Sequence, residues 1–179
     1  MNCPYCKTQP LKPIKLSADL PAASCLHCHG ALVSLLSYRT WLDRHPVTEQ
    51  LAADGQAGAL VEAVDASLAL SCPKCSGIMT KYRIAAGTEN KIDLCVRCNE
   101  VWLDNGEWEL IKSLELADKL PEILYDSWQK QIRKIQNHEL KEQKFKELLG
   151  ADYAEIARIR NWIADHEQRR TLLDYLNSL

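Results

Sequence analysis

Short alternations of apolar and polar residues occupy the N-terminal part of the chain, and a helical period replaces them toward the C-terminus. Ile78 to Ile84 reads as a strand, Gly87-Thr88-Glu89-Asn90 as a turn, and Ile92 to Leu94 as a returning strand. Val101-Trp102-Leu103 predicts a third strand. Asp104-x-x-Glu107 is a capping box, whose two side chains satisfy free N–H groups at a helix start, and it opens a helix through Trp108, Leu110 and Ile111.

An upstream stretch repeats this outline less regularly. Pro13 lies inside its candidate first strand, which suits only an edge position because proline has no N–H to give a neighbour. Leu32-Val33-Ser34-Leu35 stands where the later copy has its aromatic strand, and a short helix around Tyr38-Arg39-Thr40-Trp41-Leu42 is expected to stop before Pro46. Residues 46–70 hold Gly55 and Gly58 among alanines and acids and read as a linker.

Beyond Pro121 no glycine occurs until Gly150, after which Asp152-x-x-Glu155 offers another capping box. Two long helices joined by a tight turn are predicted. Leu124, Trp128, Ile132 and Ile135 share one face of the first, and Ile156, Ile159 and Ile163 one face of the second, so the stripes are expected to form a packing seam. Glu139 and Glu142 fall on the seam side, so the distal half of the hairpin should project into water or meet a partner. The fold class is α+β. Its expected domains are a first ribbon with a short helix at 1–45, the linker at 46–70, a second ribbon with a capped helix at 71–117, and a helical hairpin at 118–179.

Composition narrows the class. With 46% hydrophobic and 26% charged residues the chain is neither disordered nor fibrous. It has no apolar run near the roughly 18 residues of a membrane span and no signal-like start before Cys3, so a cytoplasmic protein without membrane contact is expected. In that compartment paired cysteines bind metal more often than they form disulfides.

The eight cysteines fall into two sets. Cys72-Pro73-Lys74-Cys75 and Cys95-Val96-Arg97-Cys98 are separated by residues 76–94, the gap expected of a four-thiolate zinc site. Cys3-Pro4-Tyr5-Cys6 and Cys25-Leu26-His27-Cys28, separated by residues 7–24, repeat it about 70 positions upstream, and no cysteine is left over. A ribbon of about 40 residues cannot fold by burial alone, because ordering costs roughly 1–2 kcal/mol per residue. Structural zinc supplies on the order of 10–16 kcal/mol, so one Zn²⁺ per ribbon is the expected cofactor. Four thiolates close the coordination shell, leaving no position for a substrate.

Two such centres would take the formal charge from −2 to about −6, which counts against a surface that binds nucleic acid everywhere. Lys7, Lys74 and Arg97 beside the cysteines read as local compensation. Cys3-Pro4-Tyr5-Cys6 has the letters of a glutaredoxin motif, but that motif follows a strand and starts a helix, whereas here only Met1 and Asn2 precede it and Pro10 and Pro13 follow. His27 and His29 read as surface residues or hydrogen-bond partners of a cluster rather than ligands. His45, His138 and His166 belong to no acid/base constellation, and Glu107 and Glu155 read as cap partners, so no catalytic residue is assigned.

The run from Cys72 to Cys75 and from Cys95 through Trp102-Leu103-Asp104-Asn105-Gly106-Glu107 resembles the bacterial zinc-finger family named for the zinc ribbon of transcription factor IIB, over about residues 72–111. Residues 3–42 resemble a diverged copy that keeps four cysteines and His29-Gly30 but lacks Trp-Leu-Asp. Family members usually carry glycines after the second pair; here Asn99 and Glu100 stand there, and asparagine tolerates the left-handed backbone a knuckle needs. The resemblance implies a zinc ribbon and a link to transcription or nucleic acid.

Three functional classes follow. Lys130, Arg133, Lys134, Lys141 and Lys144 share one helix face at about 100° per residue, a candidate contact for nucleic acid or a protein partner, with a solvated face as the plainer alternative. The hairpin could instead make the chain an adaptor or a homodimer, its basic block complementing the acidic excess of residues 100–126. A thiol redox enzyme comes third, because it needs a metal-free pair. A non-catalytic interaction module without a small-molecule substrate is the reading adopted.

Overall fold

The structure, a computed structural model, describes residues 1–17, 19–45 and 68–178; the expected linker therefore lies largely outside the described residues. The chain divides into two compact units, Met1–Arg133 and Lys134–Leu179. In the first, strands β1 (Leu11–Lys15), β2 (Pro21–Cys25) and β3 (Ala31–Ser34) lead into helix α1 (Leu35–Arg44). Strands β4 (Thr80–Arg83), β5 (Lys91–Cys95) and β6 (Glu100–Leu103) lead likewise into α2 (Glu107–Ser113), followed by the short α3 (Leu120–Ile123).

The two ribbons are not separate beads. All six strands form one antiparallel sheet in the order β1-β2-β3-β6-β5-β4, so the series reads alike from either edge. The join is the β3–β6 pair, in which Ala31 faces Leu103, Leu32 faces Trp102, Val33 faces Val101 and Ser34 faces Glu100. Leu32 and Trp102 are 70 positions apart, the offset that also relates Cys25 to Cys95 and Cys28 to Cys98. Equivalent residues thus sit opposite each other, the signature of a two-fold relation between the copies. Each copy covers the strand edge the other would expose. Pro13 lies in β1, an edge strand as expected.

Strand alternation gives the sheet two different faces. Val33, Ile92, Leu94, Val101 and Leu103 turn to one, where Tyr38 and Trp41 of α1, Trp108 and Ile111 of α2, and Leu120 and Ile123 of α3 complete the core. Each fully buried aliphatic side chain there contributes about 1.5–3 kcal/mol. Trp41 meets Trp108 edge to face at 6.1 Å between ring centroids, joining the two copies again. The Tyr38 hydroxyl donates to the Ala117 carbonyl at 2.8 Å and accepts the Leu120 N–H at 3.4 Å, and burial pushes its phenol pKa up. The other face carries Leu32, Trp102, Leu70, Met79 and the cysteines.

The expected capping box of α2 forms only on its Glu107 side, because the helix begins at Glu107 with Gly106, not Asp104, at the N-cap and no side-chain cap bond there. Glu107 Oε2 accepts the Asp104 N–H at 2.8 Å, while the Asp104 carboxylate accepts Trp102 Nε1–H at 2.8 Å. Gly106 makes the sharp entry with φ 82°, a conformation that costs glycine nothing.

The C-terminal helices differ from expectation in three ways. Helix α4 (Asp126–Leu149) is as long as predicted, but its first turns dock on the sheet: Leu124 and Trp128 join the core, Trp128 Nε1–H donates to the Ile84 carbonyl at 3.0 Å, and Gln129 Nε2–H donates to Arg83 and Ile123 carbonyls. The stripe marks a buried face as far as Ile132, and its beginning packs on the sheet. Second, the following helix is divided into α5 (Tyr153–Ala164) and α6 (Arg169–Leu176), and within the second unit Ile163 is buried while Ile135, Ile156 and Ile159 are 40%, 44% and 39% exposed. Third, the Asp152 cap does not form. A 3₁₀ turn at Gly150–Asp152 leaves Asp152 already helical with no side-chain cap bond, and Glu155 pairs with Arg158 instead. Glu142, on the seam side, accepts the Tyr153 hydroxyl and pairs with Arg160, a polar clamp where apolar packing was expected. No described helix is long and apolar enough to cross a membrane.

Candidate metal centres

Each cysteine set comes together on the face of the sheet opposite the described helices. The Sγ atoms of Cys3, Cys6, Cys25 and Cys28 lie within 4.8 Å of one another, and so do those of Cys72, Cys75, Cys95 and Cys98. Individual separations are 3.5 Å for Cys3–Cys28, 3.8 Å for Cys6–Cys25 and 3.6 Å for Cys75–Cys95. A tetrahedron with sulfur about 2.3 Å from its centre has edges of about 3.8 Å. A disulfide needs about 2.05 Å, and all eight cysteines are free. The donor sets therefore fit two four-thiolate metal ions.

The backbone repeats a single device four times. The residue after the second cysteine of every pair is left-handed: Lys7 at φ 66°, His29 at 58°, Ser76 at 59° and Asn99 at 53°. That conformation folds each pair into a knuckle, with Lys7, His29 and Ser76 returning their N–H groups to the carbonyls of Cys3, Cys25 and Cys72 at 2.8–2.9 Å. The Cys6 N–H points at Cys3 Sγ at 3.3 Å and the Lys74 N–H at Cys72 Sγ at 3.4 Å, placing partial positive charge against sulfur. Asn99 takes the left-handed backbone as its side chain allows; the other three positions take it at a cost.

Thiols this close cannot all ionise unaided. The Gly77 N–H, with a hydrogen bond from Cys98, brings Cys75 down to about 7, whereas the bond to Cys75 and then desolvation push Cys98 up to about 12. In the other set burial pushes Cys28 and Cys6 up. A divalent cation relieves this conflict by replacing the protons.

The histidines stay outside both groups. His27 Nδ1 lies 3.4 Å from Cys6 Sγ, a hydrogen-bond position, and His29 is exposed at its knuckle. Lys74 pairs with the buried carboxylate of Glu100. Lys7 and Arg97 are exposed. Lys130, Arg133, Lys134, Lys141 and Lys144 all lie on α4, exposed, and none forms an ion pair among the described residues.

Sequence reasoning missed two contributors. Gly30 lies so close to the Trp102 indole that a Cβ would stand 2.3 Å from Cζ2. The sequence signal was leucine at position 32 where the other copy has Trp102. Asp93, fully buried in β5, is held by Lys81 at 2.8 Å; a lone acid between Ile92 and Leu94 was its mark.

Compared with protein families, curated proteins and solved structures, the chain finds no match in any of the three.

Proposed function

We propose that this chain is a non-catalytic zinc-binding interaction module of the transcription-factor-IIB ribbon type, acting on nucleic acid or on proteins bound to it. The observation that carries the proposal is the pair of four-sulfur groups, each already complete for a tetrahedral ion and lacking a position for substrate. A closed tetrahedral set of four thiolates suits zinc, which takes sulfur ligands and needs no open position. Function then falls to surfaces away from the metal. Lys130, Arg133, Lys134, Lys141 and Lys144, without ion pairs among the described residues, favour an anionic partner, and Lys134 and Lys141 are the contacts to test.

Binding of labelled duplex and single-stranded DNA and RNA should weaken steeply with salt, and Lys134→Glu with Lys141→Glu should abolish it. Absent or salt-insensitive binding would sink the nucleic-acid reading. An adaptor or self-associating protein is the second reading, favoured by the exposure of Leu140, Phe145, Leu148, Trp162, Tyr175 and Leu176 in the second unit. Light scattering on the purified chain tests it: a dimer supports self-association, and a monomer leaves only a different partner.

A further inference from the structure

Each metal-binding knuckle of one copy that lies next to the central strand pair is touched by the other copy. Gly30, two positions after Cys28, rests against the Trp102 indole, with its hypothetical Cβ only 2.3 Å from Cζ2. In the opposite direction the Leu35 N–H donates to the Asn99 carbonyl at 3.0 Å, and Asn99 directly follows Cys98. Between these contacts run the four registered pairs of β3 and β6. Leu32 and Trp102 are buried in one cluster with Cys3, Cys25, Cys72 and Cys95, so a single apolar layer backs both sets of ligands.

We infer that the two centres hold their metal cooperatively and that Trp102 and Gly30 are the positioning pair that carries the coupling. The inference rests on the zinc reading above. Metal at the first centre fixes the Cys25–Cys28 knuckle, and with it the Gly30 surface on which Trp102 seats. A seated Trp102 orders β6, the strand that follows Cys98. Metal at the second centre fixes Asn99, whose carbonyl receives Leu35 at the start of α1. Whichever ion binds first therefore meets part of the ordering cost of the other, and the coupling is reciprocal as linkage requires. The left-handed His29 sharpens the effect, because its knuckle holds a conformation an unliganded chain has little reason to keep.

The test uses the full-length, zinc-loaded chain challenged with a chelator and a thiol-alkylating reagent, with each cysteine followed by mass spectrometry. In the intact chain all eight cysteines should react on one time course. In Gly30→Ala the set Cys72, Cys75, Cys95 and Cys98 should react roughly tenfold sooner, although the substitution lies in the other copy. Trp102→Leu removes the indole and should split the reaction into two time courses, and adding Gly30→Ala to it should accelerate Cys72, Cys75, Cys95 and Cys98 no further. Two time courses in the intact chain, acceleration in Gly30→Ala confined to Cys3, Cys6, Cys25 and Cys28, or a single time course retained in Trp102→Leu would each overturn the coupling while leaving the zinc reading intact. Reaction of all eight cysteines before chelator is added would overturn both.

Discussion

Leu32 and Trp102 face each other across the central strand pair while occupying equivalent places in the two copies. The pairing has a direct structural consequence. A lone ribbon would leave its third strand as an open edge, whereas here each third strand is the other's neighbour and β1 and β4 lie at the edges. The sheet then separates its labour by face. Helices cover one side, and both groups of thiols occupy the other.

The left-handed knuckle residues make a first prediction. Ser76 at φ 59° is held where an L side chain costs about 1–2 kcal/mol. Part of that gain is offset by the extra freedom glycine has when unfolded, so Ser76→Gly should stabilise the zinc-loaded chain by up to about 1 kcal/mol. Asn99→Gly should gain less, because asparagine already tolerates the conformation. Chemical denaturation of the loaded protein measures both, and a destabilised Ser76→Gly would contradict the knuckle geometry.

A second concerns Asp93 and Lys81. The acid is fully buried and the lysine mostly so, with 2.8 Å between charged atoms. Lys81→Met removes one charged partner of a buried carboxylate and should cost about 1–3 kcal/mol, whereas Lys81→Met with Asp93→Leu should recover most of that loss. Equal losses in the single and double variants would show that the pair is not the relevant interaction.

How much of this was legible in the sequence depends on how local each feature is. The spacing of the cysteines, the hairpin of β4 and β5 and the strand ending at Leu103 are set by residues near one another in the chain, and all are found where expected. The β3–β6 pairing is not local, and nothing in either strand's alternation names its neighbour. The stripe through Leu124 and Trp128 says that a face is buried without saying against what, and the sheet proved the nearer partner. Asp152-x-x-Glu155 has the letters of a capping box, but the turn begun by Gly150 at φ 52° makes Asp152 helical before it can cap.

The third prediction follows from Glu142. The Arg160 guanidinium, followed by the Tyr153 hydroxyl, holds its carboxyl below the usual value. A depressed folded-state pKa means the clamp between α4 and α5 contributes fully above the ordinary carboxylate range and is lost as pH falls through the depressed value. The Arg160 side-chain NMR signals should therefore titrate with a midpoint below the usual glutamate value of about 4.3. A midpoint at or above that value would contradict the clamp, and Glu142→Gln should remove the titration altogether.

Metal content is the most direct test of the central claim that two ions hold one duplicated sheet. Native mass spectrometry of the full chain should show two zinc ions per molecule, and their removal by chelator should abolish the near-ultraviolet circular dichroism of the tryptophans packed on the sheet. A chain that keeps that signal with no metal bound, or whose mass shows cysteines joined as disulfides, would contradict the account.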